Sequence, residues 1–272
     1  MNEALTHRCK SCENTFTGNY CNHCGEKVLV TSDQSFKSVV NSILLTITFV
    51  DTRFIKTLWM VLTTPGTLSR DFSHGKRIKR LSPMSLFFLL NLVYFFFPLI
   101  QLFNASLHTQ LLSPLSVFYI NLITHKIVTL GLDLNSFTLI YNQKTTSLAK
   151  LMVVVFVVIS SLPLNILYWK KNKYFIDHVT YAVELACFNL FANAILLTVI
   201  VRLFGLGHYL NEITLTVIFI ITNLYFILRS GLTFYQEKGI RLVFKSLILI
   251  VFLKLALEGY RMVLFFVTMW ML

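Results

Sequence analysis

Four cysteines near the start of the chain have the spacing of metal ligands. Cys9-x2-Cys12 and Cys21-x2-Cys24 form two pairs with eight residues between them. Each pair sets two thiolates on one tight turn, and a short hairpin brings the pairs around one tetrahedral ion. Four thiolates close the coordination sphere, so the expected cofactor is one structural Zn2+ per chain, not a catalytic one. Two disulfides are the competing arrangement; a cytoplasmic location, argued below, keeps thiols reduced and favours zinc. His7 and His23 stand close enough in sequence to substitute as ligands. Phe16 and Tyr20 are the expected core of the hairpin, with Gly18-Asn19 as its turn and Gly25 leaving room for an amide beside sulfur. A module this small folds around metal, not around apolar burial. Its expected task is to present a surface to a partner protein. Arg8, Lys10 and Lys27 balance Glu3, Glu13 and Glu26, which argues against nucleic acid, since phosphate binding needs a local basic surface.

Three further groups of residues could do chemistry. Lys254, Glu258 and Arg261 stand at i, i+4 and i, i+3, on one helical face inside an apolar stretch. Charges inside a bilayer cost roughly 2.5–3.5 kcal/mol each on insertion scales and turn toward a bundle interior or a water-filled cavity. Asn91, Asn165, Asn189, Asn193 and Asn223 are the amides available to meet them. The expectation is one polar interior centred on Glu258, with Asn193 and Asn223 beside it. That interior is either a substrate, ion or proton path or a structural ion triad with interhelical amide bonds. Asp177, His178, Tyr181 and Glu184 form a second group. A metal or acid–base site would use His178 oriented by Asp177, with Glu184 in reach; alternatively Asp177 is simply a first-turn acid of its helix. The third group is His74, Lys76, Arg77, Lys79 and Arg80, which would contact anionic lipid or phosphate or serve as ordinary cytoplasmic flanking charge.

The elements that must position these groups are apolar. The chain has 272 residues, 56% hydrophobic and 13% charged, with 25 phenylalanines; a soluble domain carries roughly 25% charged residues. This composition means a polytopic helical membrane protein in contact with the lipid bilayer. Runs of about 20 apolar residues predict five spans, Pro83–Asn104, Leu148–Trp169, Val179–Phe204, Ile213–Arg229 and Ser246–Leu272. The first 35 residues contain no apolar leader core. The net charge of +12 lies mostly beside these spans. Basic clusters at Arg70–Arg80, Lys170–Lys173 and Arg229–Lys245 alternate with sparsely charged loops. The positive-inside rule then places the N-terminus in the cytoplasm and the C-terminus outside, across a bacterial inner membrane. Residues 1–30 are the ribbon and 31–81 amphipathic, interfacial helices with a basic linker. Residues 82–272 are the membrane body, in which 105–147 is an extracytoplasmic segment of short elements. Between 36 and 64, Phe36, Val40, Ile43, Leu44, Ile47, Phe54, Leu58 and Leu62 recur at near-helical spacing, interrupted by Lys37, Asp51, Arg53 and Lys56.

The order of motifs is distinctive: the Cys-x2-Cys and Tyr-Cys-x2-Cys-Gly ribbon, Thr57-Leu58-x6-Pro65-Gly66, Gly75-Lys76-Arg77 before Pro83, and Tyr174-Phe175-Ile176-Asp177-His178. It resembles a family of bacterial membrane proteins of unknown function with an N-terminal zinc ribbon. The resemblance runs along the whole chain and is strongest over Cys9–Pro83. It implies the zinc ribbon and several membrane helices, and it implies no activity. In that family a Glu-His or similar pair opens the later helix and further histidines often follow. Here Asp177-His178 occupies the pair, while Glu184 and Cys187 stand at the following turns, a departure from the pattern. The expected fold is an all-α integral membrane bundle of about five helices with a small four-cysteine zinc ribbon. The expected function is a scaffold, regulator or effector docking a protein partner through the ribbon. Two alternatives stay open: an oligomeric pore or transporter lined around Glu258, requiring a homo-oligomer, and a lipid-acting enzyme using His178 and Asp177.

Overall fold

The computed structural model describes residues 6–9, 12–23, 53–74, 80–97, 100, 103–113, 116–171 and 173–272. The chain divides into two compact units, Met1–Thr52 and Arg53–Leu272.

In the first unit β1 (Thr6–Arg8) pairs antiparallel with β2 (Thr15–Thr17), in the register Thr6↔Thr17, His7↔Phe16 and Arg8↔Thr15. The chain reverses between the strands where the Cys9 amide donates to the Asn14 carbonyl (2.9 Å) and the Glu13 amide to the Cys9 carbonyl (3.0 Å). Gly18 leaves β2 at φ +102°, a left-handed conformation that suits glycine. The core here consists of Cys9, Phe16 and Cys21, with Cys12 packed against it. Tyr20, expected in that core, is 62% exposed. The reason is local: Phe16 is the inward residue of a three-residue strand, and Tyr20 lies beyond the Gly18 turn.

The second unit is helical. The described part of α1 covers residues 53–63, followed by α2 (Thr67–Ser73), α3 (Pro83–Phe96), α4 (Leu107–Leu111), α5 (Ser116–Leu130) and α6 (Leu134–Leu167). Next comes α7 (Phe175–Phe188), which continues without a break through a π-helical stretch (Asn189–Leu196) into α8 (Leu197–Leu203). Helices α9 (Glu212–Thr233) and α10 (Gly239–Met271) complete the unit. Side chains mark the starts. The Ser82 hydroxyl accepts from the Ser85 amide with Pro83 at the first helical position. Asp133 accepts from the Asn135 and Ser136 amides, and Asn211 from the Thr214 amide. The core lies among α1, α3, α6, α7, α9 and α10, with Leu86, Tyr94, Val153, Tyr181, Phe226 and Tyr260 fully enclosed.

Three helices among the described residues are long and apolar enough to cross a membrane: Leu134–Leu167, Phe175–Leu203 and Ile213–Thr233. The five expected spans are therefore not all supported by length and composition. Helix α3 ends at Phe96 instead of continuing to Asn104; its 14 residues rise about 21 Å, short of the roughly 30 Å hydrocarbon core. Helix α10 is long enough, but every 18-residue stretch of it holds at least three charged residues drawn from Arg241, Lys245, Lys254, Glu258 and Arg261. Helix α6 starts 14 residues before the expected Leu148, because the mixed run Asn135–Ser147, whose Phe137 and Tyr141 are buried, is competent to form helix once Asp133 caps it. The expected segment 105–147 thus becomes α4, α5 and the first half of α6. The structure describes only 53–64 of the 36–64 stretch, where α1 buries Leu58 and Val61 and exposes Ile55 and Trp59.

Candidate functional site

The sulfurs of Cys9, Cys12 and Cys21 all lie within 4.8 Å of one another, and Cys12 Sγ and Cys21 Sγ are 3.6 Å apart. A Zn–S bond of about 2.3 Å in tetrahedral geometry separates ligand sulfurs by about 3.8 Å, so the described thiols fit a metal ion. Cys9 comes from the end of β1, Cys12 from the turn after it, and Cys21 from beyond β2. A hydrogen bond from Asn14 Nδ2 to Asn22 Oδ1 (2.9 Å) ties the two sulfur-bearing turns together. Cys24, the fourth expected ligand, lies outside the described residues.

A second cluster occupies one end of the helical unit. There the turn between α1 and α2 meets the face of α7. Glu184, fully buried, accepts from the Gly66 amide (2.8 Å), the Ser69 amide (2.7 Å) and the Ser69 hydroxyl (2.5 Å). These are the orphan donors at the start of α2, where a negative charge is favoured. Gly66 has φ +81°, and a Cβ there would lie 2.8 Å from Ser230 Cβ and 2.5 Å from Thr233 Oγ1. Thr233 Oγ1 in turn donates to the Pro65 carbonyl (2.5 Å). A proline-glycine turn is thus the shape that lets this backbone approach both α7 and α9.

The expected acid–base group sits around this turn, and most of its members are bonded to the fold. Asp177 accepts from the Tyr174 amide (3.0 Å), closing the first turn of α7, and from the Ser73 hydroxyl (2.6 Å). His178 Nδ1 and the Tyr235 hydroxyl are 2.8 Å apart, Tyr181 and Ser230 share a hydrogen bond of 2.6 Å, and Tyr168 stacks on Tyr235 with ring centroids 3.6 Å apart. Burial holds the Tyr235 hydroxyl well above its ordinary pKa, so it stays protonated and can donate to His178. His178 Nε2 is buried without a hydrogen-bond partner. Beside this cluster Glu237 pairs with Lys245 (2.6 Å) and Lys171 (3.4 Å).

The basic interfacial group is only partly described. Arg80 pairs with Asp71, and His74 Nδ1 lies 2.6 Å from the Arg70 carbonyl oxygen. Lys76, Arg77 and Lys79 lie outside the described residues. Two polar groups stand where one interior was expected. Asn189 and Asn223 exchange reciprocal amide bonds (3.0 Å each), Asn193 donates to Asn189 (2.8 Å), and Thr222 donates to Asn193 (3.1 Å). They gather where the helix becomes π, a perturbation common at functional positions. Glu258 bonds Lys254 (2.8 Å) and Arg261 (3.3 Å), and no hydrogen bond among the described residues joins the two groups. A groove of about 190 Å³ has both Asn223 and Lys254 in its lining. Asn165 is exposed.

The carboxylate–turn contact of Glu184 with Gly66 and Ser69 escaped the sequence reading, since no local pattern links residues 115 or more positions apart. Its one visible trace is Pro65-Gly66. No curated protein and no solved structure matches the chain. A family model described as a protein of unknown function, DUF3667, matches residues 51–95. The match takes in α1, the Pro65-Gly66 turn, α2 and most of α3, so over the segment that Glu184 holds the chain is similar to an uncharacterised domain family.

Proposed function

We propose that this chain is a membrane-anchored docking protein whose ribbon, held by one structural Zn2+ on Cys9, Cys12, Cys21 and Cys24, presents a surface to a partner protein. The observation that carries this reading is the ribbon itself: three gathered sulfurs, one enclosed phenylalanine and an outward Tyr20. Exposed tyrosine on a rigid support is a favoured anchor in protein interfaces. The bound ion would supply rigidity there, and the docking chemistry belongs to the side chains. The use of the acid–base residues supports the same reading, because Asp177 and Glu184 are engaged in capping and docking the protein's own helices. The helical unit then serves as the anchor, with its basic end and the ribbon on the cytoplasmic side by the positive-inside rule.

Elemental analysis of detergent-purified protein is expected to give one zinc per chain, lost in a Cys9→Ser/Cys21→Ser variant. A photocrosslinking residue in place of Tyr20 is expected to capture the same partner reproducibly, and capture is expected to disappear in the cysteine variant while membrane integration persists. Recovery of that partner by a chain lacking residues 1–30 would remove the ribbon from the role.

A further inference from the structure

Helix α10 carries an ion pair at a level where charge is costly. Lys245 Nζ stands 4.7 Å from the Tyr168 ring centroid, and the Tyr260 hydroxyl donates to the Ala149 carbonyl (3.0 Å). Helices α6 and α10 are therefore antiparallel, with Lys245–Tyr260 running beside Ala149–Tyr168. Lys254 falls between these landmarks, beside the middle of the uncharged run Leu151–Leu167. A second helix gives the same level. Lys254 lines one groove with Phe219, Ile220 and Asn223, which lie at the midpoint of α9. Both α6 and α9 are long and apolar enough to cross a membrane. Where they cross, Lys254 stands near mid-bilayer with Glu258 one turn on, and charges at that depth belong against protein or a water-filled cavity.

This pair instead faces outward. The Lys254 side chain is 55% exposed and that of Glu258 33%, and the two bond each other at 2.8 Å. The lysine is thus turned to its neighbour, unlike lysines near helix ends that stretch to the membrane surface. Leu247, Val251, Lys254, Leu255, Glu258 and Met262 recur every three or four residues, and all are exposed or half-buried. That is the spacing by which one helix seats against another. Gly259 lies on the same stripe, and a Cβ there would meet nothing within 4 Å. Among the described residues nothing requires a glycine at this point, where it weakens the helix. A second backbone approaching closely does require one.

Lipid tails offer this pair neither charge nor hydrogen bond, whereas a second copy offers both. Copies inserted the same way meet about an axis along the bilayer normal, so equal residues stand at equal depth. Each Lys254 is then one helical turn, about 6 Å along the axis, from the level of the partner's Glu258, and the two cross-pairs are equivalent. The face is complementary to itself in charge. Arg261, beside Ala149 at the edge of the uncharged run, stays with Glu258 of its own chain.

We propose that this face of α10 joins two copies of the chain in a parallel dimer, through Lys254–Glu258 pairs across the interface and close approach at Gly259. The inference goes beyond the docking role of the ribbon and rests only on the helical unit lying in the bilayer. Full-length protein with one fluorophore per chain, reconstituted in phosphatidylcholine vesicles, is counted by single-molecule photobleaching, with carbonate extraction reporting insertion separately. Two-step bleaching is expected. Lys254→Glu and Glu258→Lys each set like charges opposite one another, and each alone is expected to weaken pairing about tenfold or more. Mixed, the two variants restore both cross-chain pairs and neither in-chain pair, so co-isolation of differently tagged variants is expected to recover. A pair that serves only its own chain gives no such recovery. Gly259→Ala, whose added Cβ has open space within the chain, is expected to weaken pairing and leave the helical unit at least as stable. A photocrosslinker in place of Leu255 is expected to capture a second copy, which keeps the test decisive where the charge variants fail to insert. Single-step bleaching of inserted protein, a mixture that pairs no better than its components, or Leu255 crosslinks only to lipid or to another protein, overturns the proposal.

Discussion

Glu184 ties the α1–α2 turn to α7 at the basic end of the helical unit. A carboxylate enclosed by protein needs donors on its lone pairs, and this one takes three from four consecutive residues of the α1–α2 turn. Glu184→Ala strands two backbone amides and a hydroxyl in a buried place. It is expected to lower stability by about 2–4 kcal/mol. Ser69→Ala, which removes only the hydroxyl donor, should cost about 1 kcal/mol. Chemical unfolding in detergent micelles measures both, and a Glu184→Ala protein as stable as the parent would contradict the assignment. At this scale the sequence was partly legible. His178, Tyr181 and Glu184 fall on one helical stripe and all three are buried, as helical spacing implies. What they meet was not legible, because Gly66, Ser230 and Tyr235 arrive from other helices and leave no local signature. The gathering of Cys9, Cys12 and Cys21 was legible because Cys-x2-Cys spacing sets two sulfurs on one turn of chain.

Helix lengths decide much of the architecture. Helices α6 and α10 rise about 50 Å each, well beyond the roughly 30 Å of hydrocarbon, and their excess is covered by α4 and α5 through Tyr119, Tyr141, Phe265 and Met269. Hydropathy alone reads the apolar part of such a helix and stops, which is why α6 was expected to begin at Leu148. It reads the apolar residues after Phe96 as span for the same reason, although the backbone turns extended at Phe97. The α9–α10 link holds a pH-dependent contact. The Lys245 hydrogen bond, with Lys171 nearby, keeps the Glu237 carboxyl below its ordinary pKa of 4.5. A folded-state pKa below the unfolded one contributes stability that is present above the unfolded value and is lost as pH falls through the folded value. The unfolding temperature is therefore expected to drop as pH is lowered below about 4.5, and Glu237→Gln to flatten that drop. Differential scanning fluorimetry between pH 3 and 7 follows it; equal slopes for the two proteins would dismiss Glu237 as a contributor.

Taken as a whole, the helical unit is polarised. Tyr168, Lys171, Asp177, His178, Tyr235, Glu237 and Lys245 gather at one end, and the Lys254, Glu258 and Arg261 group lies away from them. That polarity was legible from charge placement, since Lys and Arg alternate with the apolar runs. The number of crossings was not, because α3 is short and α10 is charged. Topology decides it. Reporters active only outside the cytoplasm, fused after Leu272 and, separately, ahead of the ribbon, are expected to respond at the C-terminus alone if α3, α6, α7–α8, α9 and α10 all cross. A matching response at both ends means an even number of crossings and removes α3 or α10 from the set.

The Glu184 contact also has a consequence for how the protein is made. The turn at Gly66 leaves the ribosome 118 residues before its acceptor, about 6 to 25 seconds at ordinary elongation rates. Thr233, which grips Pro65, is 168 residues later than its partner. The first helices of the body are therefore synthesised early and seated late, after α7 and α9 are in place. During that wait they carry amides with no native acceptor, a segment that a chaperone or insertase has reason to hold.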